Sequence, residues 1–214
     1  VVSVDLSVAV EANYATNGAR ENVLIVQADL RRLPVRPGTF DKLFCFGVLQ
    51  HTPDPARAFR LLPPFLRPGG RLAIDCYIKT GTWRDALMTK YWARHVTKRV
   101  PHPLLYRACQ AYVHAMWKPL SVTQARLGNW FSWLVLVSDY RGIYELPDER
   151  LREWAVLDTF DSLSPAHDHP QTVATVRRWF EDAGLVEVDV HPGYNGIEGR
   201  GARPADGGGV DVQG

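Results

Sequence analysis

The 214-residue chain contains only three cysteines, Cys45, Cys76 and Cys109. An odd, widely spaced set excludes a disulfide framework and a Cys-x-x-Cys metal site, and it predicts a reducing, cytoplasmic setting. Two of the three sit inside apolar runs, where cysteine acts as a small hydrophobe. Long hydrophobic runs are also missing. The longest, Trp133 to Val137 behind Trp130 and Phe131, is far short of the roughly 20 residues of a membrane span. Neither sign of charge dominates: 25 Lys and Arg face 23 Asp and Glu, for a net charge of +2, so bulk electrostatics give no case for a nucleic-acid partner. The chain does not open on a basic stretch leading into an apolar one, although a segment cut off upstream could hold such a signal. No internal repeat is present. The first residue is valine, and VVSVDLS reads as a buried strand. Domains seldom open in mid-strand, so the reading expects a product cut short upstream. What remains is ordinary globular material, 46% hydrophobic and 22% charged, long enough to bury about 70% of its unfolded surface.

The first part alternates short apolar runs with helical patterns, the mark of a parallel sheet covered on both faces. Val1–Val4, Val23–Val26, Lys42–Phe46 and Arg71–Ile78 are predicted strands, and a helix is predicted to run to Asn17-Gly18. Asp54–Leu66 has helical spacing but is predicted to be kinked or split at Pro63-Pro64, and Arg67–Gly70 is predicted as a turn. From Thr80 the chain becomes rich in Trp, Tyr, Arg and His, over a length no ordinary connection needs. This is read as a helical insert over 80–155, with Lys90, Arg94, Lys98 and Arg99 forming a basic stripe beside Trp92 and Val96. Alternation then resumes over 156–203, with a helix at Thr172–Ala183 ended by Gly184, a strand at Val186–Val190 and a last strand at Ile197–Arg200. The tail, 204–214, is polar and glycine-rich and is predicted to be disordered.

Three places carry chemistry. Asp5 follows the first strand, at the carboxyl end where open α/β sheets bind ligands. Its two acceptor oxygens match a vicinal diol, although Asp5 or Ser7 could equally cap the helix just after it. Asp29 stands one unit later at the end of the next strand, where a carboxylate can accept from an adenine amino group while Leu30 flanks the ring. A turn-capping role is again open. The third is DKLFCFGVLQHTPDP, residues 41–55, in which a strand ends at Phe46, Gly47 lets the backbone turn, His51 comes next in a loop and Pro55 suits a first helical turn.

In order and spacing, VDLS, then QADLRRLPVRPGTFDKLFCFGVLQHTPDP, then LRPGGRLAID resemble class I S-adenosylmethionine-dependent methyltransferases, in the small-molecule branch that includes ubiquinone and menaquinone methyltransferases. The likeness covers residues 1–78, with an echo at WFEDAGLVEVDV. It implies an α/β fold with a mostly parallel, doubly wound sheet, a helical insert after the fourth strand-type element and an antiparallel last strand. It implies S-adenosylmethionine as cofactor, with Asp5 at the ribose, Leu6 among the cofactor contacts, Asp29 and Leu30 about the adenine, and Phe46, Gly47 and Val48 along the methionine. His51 would lie near the methyl group or the acceptor. The family's first strand and glycine-rich loop have no counterpart here, so the sheet is expected to lack that strand and the chain alone to bind cofactor poorly.

Methyl transfer is an in-line displacement that positioning accelerates, and a base is needed only where the acceptor must lose a proton. His51 is the candidate base, with capping or packing in its loop as the alternative. Asp161, His167 and His169, in DTFDSLSPAHDH, and Tyr140 in the insert are candidate substrate contacts; the short His-x-His has no third spaced ligand, so no metal is expected. Trp83, Trp92, Trp117, Trp130 and Trp133 could line an acceptor pocket, pack a helical cap or touch a membrane. The acceptor is read as a small molecule or a glycan- or lipid-linked compound methylated at oxygen. A non-catalytic scaffold of the same fold is the alternative. A short-chain dehydrogenase is disfavoured, because no Tyr precedes a Lys by four positions.

Overall fold

Four residues of extended pattern form β1 (Val2–Asp5), and α1 (Ala9–Asn17) returns the chain to β2 (Leu24–Gln27), parallel to β1 with Val2 opposite Leu24 and Asp5 opposite Gln27. Asn13 donates to Ser3 Oγ at 2.9 Å, tying helix to strand, yet α1 buries no residue. Gly18 closes the helix without a left-handed backbone (φ −65°); its role is close approach, since a Cβ there would stand 2.6 Å from the Tyr14 ring and from its carbonyl oxygen.

The structure is a computed structural model that describes residues 1–79, 89–127 and 135–205. Two compact units divide the chain: Val1–Lys79 with everything from His169 onward, and Thr80–Asp168.

The main sheet of the first unit holds β3 (Phe40–Cys45), β4 (Leu66–Cys76), β5 (Val186–Gly193) and β6 (Gly196–Ala202) in the order β3-β4-β6-β5. β3 and β4 are parallel, while β6 runs antiparallel to both β4 and β5. β4 starts earlier than its sequence pattern implies. The expected turn at Arg67–Gly70 is drawn into the strand as an irregularity between the Phe40–Leu66 and Lys42–Arg71 pairs. Gly70 permits this, because a Cβ would meet the Arg67 carbonyl at 2.8 Å. Asp54 caps α2 (Pro55–Arg60) by accepting from the Arg57 N–H at 2.9 Å, and the helix gives way to a 3-10 turn at Pro63–Phe65, as Pro63-Pro64 requires.

One face of this sheet is packed by α2 and by α6 (Val173–Asp182), whose cap is Thr172. Phe59 lies 4.8 Å from Phe180 and 5.7 Å from Trp179, over Leu72, Ile74 and Ile197. Gly199 and Gly201 make room for Phe180, whose ring stands 2.8 Å from where either Cβ would be. The other face is open, with a cavity of about 290 Å³ over Lys42, Phe44, Phe46, Arg71, Ala73 and Arg200. No strand among the described residues joins β1 to β3, so the sheet is interrupted where the resemblance led one to expect a missing strand.

The second unit is helical: α3 (Thr89–Thr97), α4 (His102–Leu127) and α5 (Asp148–Leu163). Val113, Trp117, Leu120, Val137, Leu151, Ala155 and Val156 form its core. Trp117 is a packing residue. Its Nε1 donates to Asp148 at 2.9 Å and the Arg141 guanidinium, itself paired with Asp139, lies 4.2 Å above its ring. The boundary expected at 155/156 falls inside α5, and the unit closes at Asp168. Trp83, Trp130 and Trp133 lie outside the described residues, as does most of the tail predicted to be disordered.

Candidate active site

Parallel pairing puts the carboxyl ends of β1 and β2 side by side, and the ladder continues past them through the Ala28 N–H, which donates to the Asp5 carbonyl at 3.0 Å. Asp5 and Asp29 therefore stand at neighbouring strand tips. Asp5 turns one oxygen inward on its own loop: Oδ1 accepts from the Ser7 N–H at 2.7 Å and from Ser7 Oγ at 2.8 Å. The helix cap position belongs to Val8, so Asp5 shapes the turn before the helix rather than capping the helix. Leu6 is exposed and its carbonyl accepts from Gln27 Nε2 at 3.2 Å.

Asp29 is more fully engaged. It caps the 3-10 turn Leu30–Arg32 through the Arg31 N–H at 2.9 Å and receives the Arg31 guanidinium on both oxygens, at 3.0 and 2.5 Å. Hydrogen bonds from the Arg31 side chain and backbone hold its carboxyl down, at about 2. Leu30, beside it, packs against the core of the main sheet.

β3 ends at Cys45, and Phe46 stacks on Phe44 at 5.5 Å on the open side. Gly47 comes next with φ +69°, where no atom lies within 4 Å of a built Cβ; only its backbone dihedral demands glycine. Its N–H donates to Asp75 Oδ1 at 2.5 Å, and Asp75 Oδ2 accepts from Asn195 Nδ2 at 3.2 Å. Asp75 thus fixes the loop that carries Gly47 and Val48. Burial, with the Asp75 charge second, pushes the neighbouring Cys45 thiol up to about 12, which makes it an inert neutral thiol.

His51 closes a 3-10 turn, Leu49–His51, and meets Tyr77 edge to face at 5.5 Å. A third segment crosses here: His169 N–H donates to the Gln50 carbonyl at 2.9 Å, Gln171 N–H to the Tyr77 carbonyl at 2.8 Å, and Lys79 N–H to the Gln171 carbonyl at 2.6 Å. His51 and His169 are therefore brought to one end of the main sheet. Between them Gln50 is fully buried with neither amide atom hydrogen-bonded. Tyr140, Asp161 and His167 belong to the helical unit. Tyr140 Oη donates to Asp158 at 2.5 Å and its ring stacks on Trp154 at 4.7 Å, Asp161 and His167 are exposed, and the buried side chain of Asp168, next to His167, is paired with Arg94.

Gln50, Asp75 and Tyr77 escaped the sequence reading. Gln50 lay inside the motif, as the one polar residue between Leu49 and His51. Asp75 had a faint signal, a carboxylate inside the apolar run Leu72–Ile78. Tyr77 had none.

The family model described as a methyltransferase domain matches residues 1–74, the span that holds Asp5, Asp29 and His51. Residues 1–74 are similar to the methyltransferase domain family. The methyltransferase Gfs G of Streptomyces halstedii is 34% identical over 70 residues, covering 33% of this chain and 25% of its own. A tRNA U34 carboxymethyltransferase of Campylobacter curvus is 30% identical over 67 residues, 31% of this chain and 22% of its own. The match extends further in an uncharacterized protein of Synechococcus sp., 26% identical over 181 residues, 79% of this chain and 36% of its own. The chain spans about a third or less of the length of these relatives. Within the matched segment every candidate cofactor residue named from the sequence lies at the carboxyl end of β1, β2 or β3.

Proposed function

We propose that the chain is part of an S-adenosylmethionine-dependent methyltransferase acting on oxygen of a small-molecule, glycan- or lipid-linked acceptor. The observation that carries this reading is the pair of carboxylates at adjacent parallel strand tips, inside the segment matched by the methyltransferase family. S-adenosylmethionine, when bound, supplies an electrophilic methyl group on a sulfonium.

The residues present fit that cofactor unequally. Asp5 uses Oδ1 for its turn and keeps Oδ2 for a ribose hydroxyl. Asp29 can take an adenine amine only by giving up part of its Arg31 contact, an inexpensive exchange for an exposed pair. Gly47 offers backbone unshielded by a side chain, and Phe46 and Val48 flank it with exposed apolar surface for the methionine moiety. His51, held against Tyr77 and beside the His169 crossing, would take the proton from an acceptor hydroxyl.

Two measurements test this. In the full-length protein, His51→Ala should lower turnover of an oxygen acceptor by about 10²–10⁴-fold while the cofactor Kd stays unchanged; unchanged turnover removes His51 as the base. Also in the full-length protein, Asp5→Asn should weaken cofactor binding by roughly ten-fold or more, the worth of a charged hydrogen bond, and equal binding would refute the ribose assignment. The interrupted sheet leads to a further expectation, that calorimetry on residues 1–214 alone finds no cofactor binding in the micromolar range.

A further inference from the structure

Between Ala86 and Ser138 there is no aspartate or glutamate, while Lys90, Arg94, Lys98, Arg99, Arg107, Lys118 and Arg126 supply seven cations. In a chain with nearly balanced charge, this run concentrates one sign within the helical unit. Two of the cations are used internally: Arg94 is buried on Asp168 and the Ser162 carbonyl, and Lys90 stands 3.8 Å from Asp168. Lys98, Arg99 and Arg107 stay at the surface.

The apolar residues among them are exposed as well. On α3, Trp92 is 70% and Val96 68% accessible, one turn apart and on the side away from Arg94, which faces α5. After the turn at Lys98–Pro101, Leu104 on α4 is 59% accessible, beside exposed Arg107. Over sixteen residues, 92–107, indole and aliphatic groups therefore alternate with cations, and the run holds no carboxylate side chain. Nucleic acid would account for the cations but leaves Val96 and Leu104 unexplained. An apolar protein partner would account for the side chains but not for the missing acids. A bilayer with anionic headgroups accounts for both, because tryptophan and aliphatic groups enter the interface while Lys and Arg stay at the phosphates.

We propose that the surface formed by Trp92, Val96, Lys98, Arg99, Leu104 and Arg107 docks on an anionic membrane surface. Binding is peripheral, since no described helix is long and apolar enough to cross a bilayer.

The test is co-sedimentation of the 214-residue chain with phosphatidylcholine vesicles with or without phosphatidylglycerol, at low and high salt. Binding is expected only with the anionic lipid and should weaken with salt. Lys98→Glu with Arg99→Glu should reduce it about twenty-fold or more, each lost cation being worth about five-fold. Trp92→Ser with Val96→Ser should reduce it roughly ten-fold or more by removing the inserted groups. All these side chains are exposed, and circular dichroism checks that each variant keeps its helices. The proposal is overturned if wild type ignores both vesicles, if it binds neutral and anionic vesicles alike, or if the serine pair binds anionic vesicles as wild type does. It is also overturned if the same residues instead serve a single-stranded RNA probe or self-association seen by analytical ultracentrifugation.

Discussion

Asp29 sits in an exposed bidentate pair with Arg31, and its carboxyl is held near 2 mainly by that side chain's hydrogen bonds. A depressed carboxyl stabilises the folded chain above its unfolded value of 3.8, and the contribution is lost as pH falls through about 2. NMR titration of Asp29 should show that low midpoint, and Arg31→Ala should return it towards 3.8; an unchanged midpoint would remove the pair as the cause. Gln50 presents the opposite situation, a buried amide with donor and acceptor both unsatisfied. Replacing it by leucine should raise unfolding free energy by about 1–3 kcal/mol, the desolvation cost of such a group. Gly47 has open space but a positive φ, so Gly47→Ala should cost about 1–2 kcal/mol through backbone strain alone, measurable in urea. Loss beyond that would mean that the Asp75 contact had broken too.

The elements differ in how well they are held. α2, α6 and β4 meet through Phe59, Phe180 and Ile74, all essentially inaccessible, and Phe59→Ala should cost about 3–5 kcal/mol in equilibrium unfolding. β1 and β2 form a two-stranded parallel sheet under a helix that buries nothing. Parallel strands normally need both faces covered, and a pair alone is marginal. Hydrogen exchange should therefore be fast in β1 and β2 and slowest in β4 and β6; equal protection would show that the two sheets behave as one cooperative unit.

At the scale of the whole molecule, β1, β2 and β3 and the helices after β1 and β3 were legible because local periodicity and proline placement report elements directly. So were the candidate residues at strand ends, since a polar residue terminating an apolar run is a local signal: Asp5, Asp29 and Gly47 all stand where the pattern put them. The start of β4 was misread because the Arg67–Gly70 run has turn chemistry, and pairing with Phe40 overrode it. α5 runs on past 155/156 to Leu163, with no change of composition there.

Composition and spacing by themselves determined the α/β class, the strand tips and the carboxylates on them, since each depends on residues close together in the chain. Tertiary structure alone decided what those carboxylates touch and what meets His51. The Asp75–Gly47 contact, the Tyr77 ring and the His169–Gln171 crossing join residues far apart in sequence. Which of them meet depends on strand register and crossover, and no local pattern encodes a partner that long-range pairing selects.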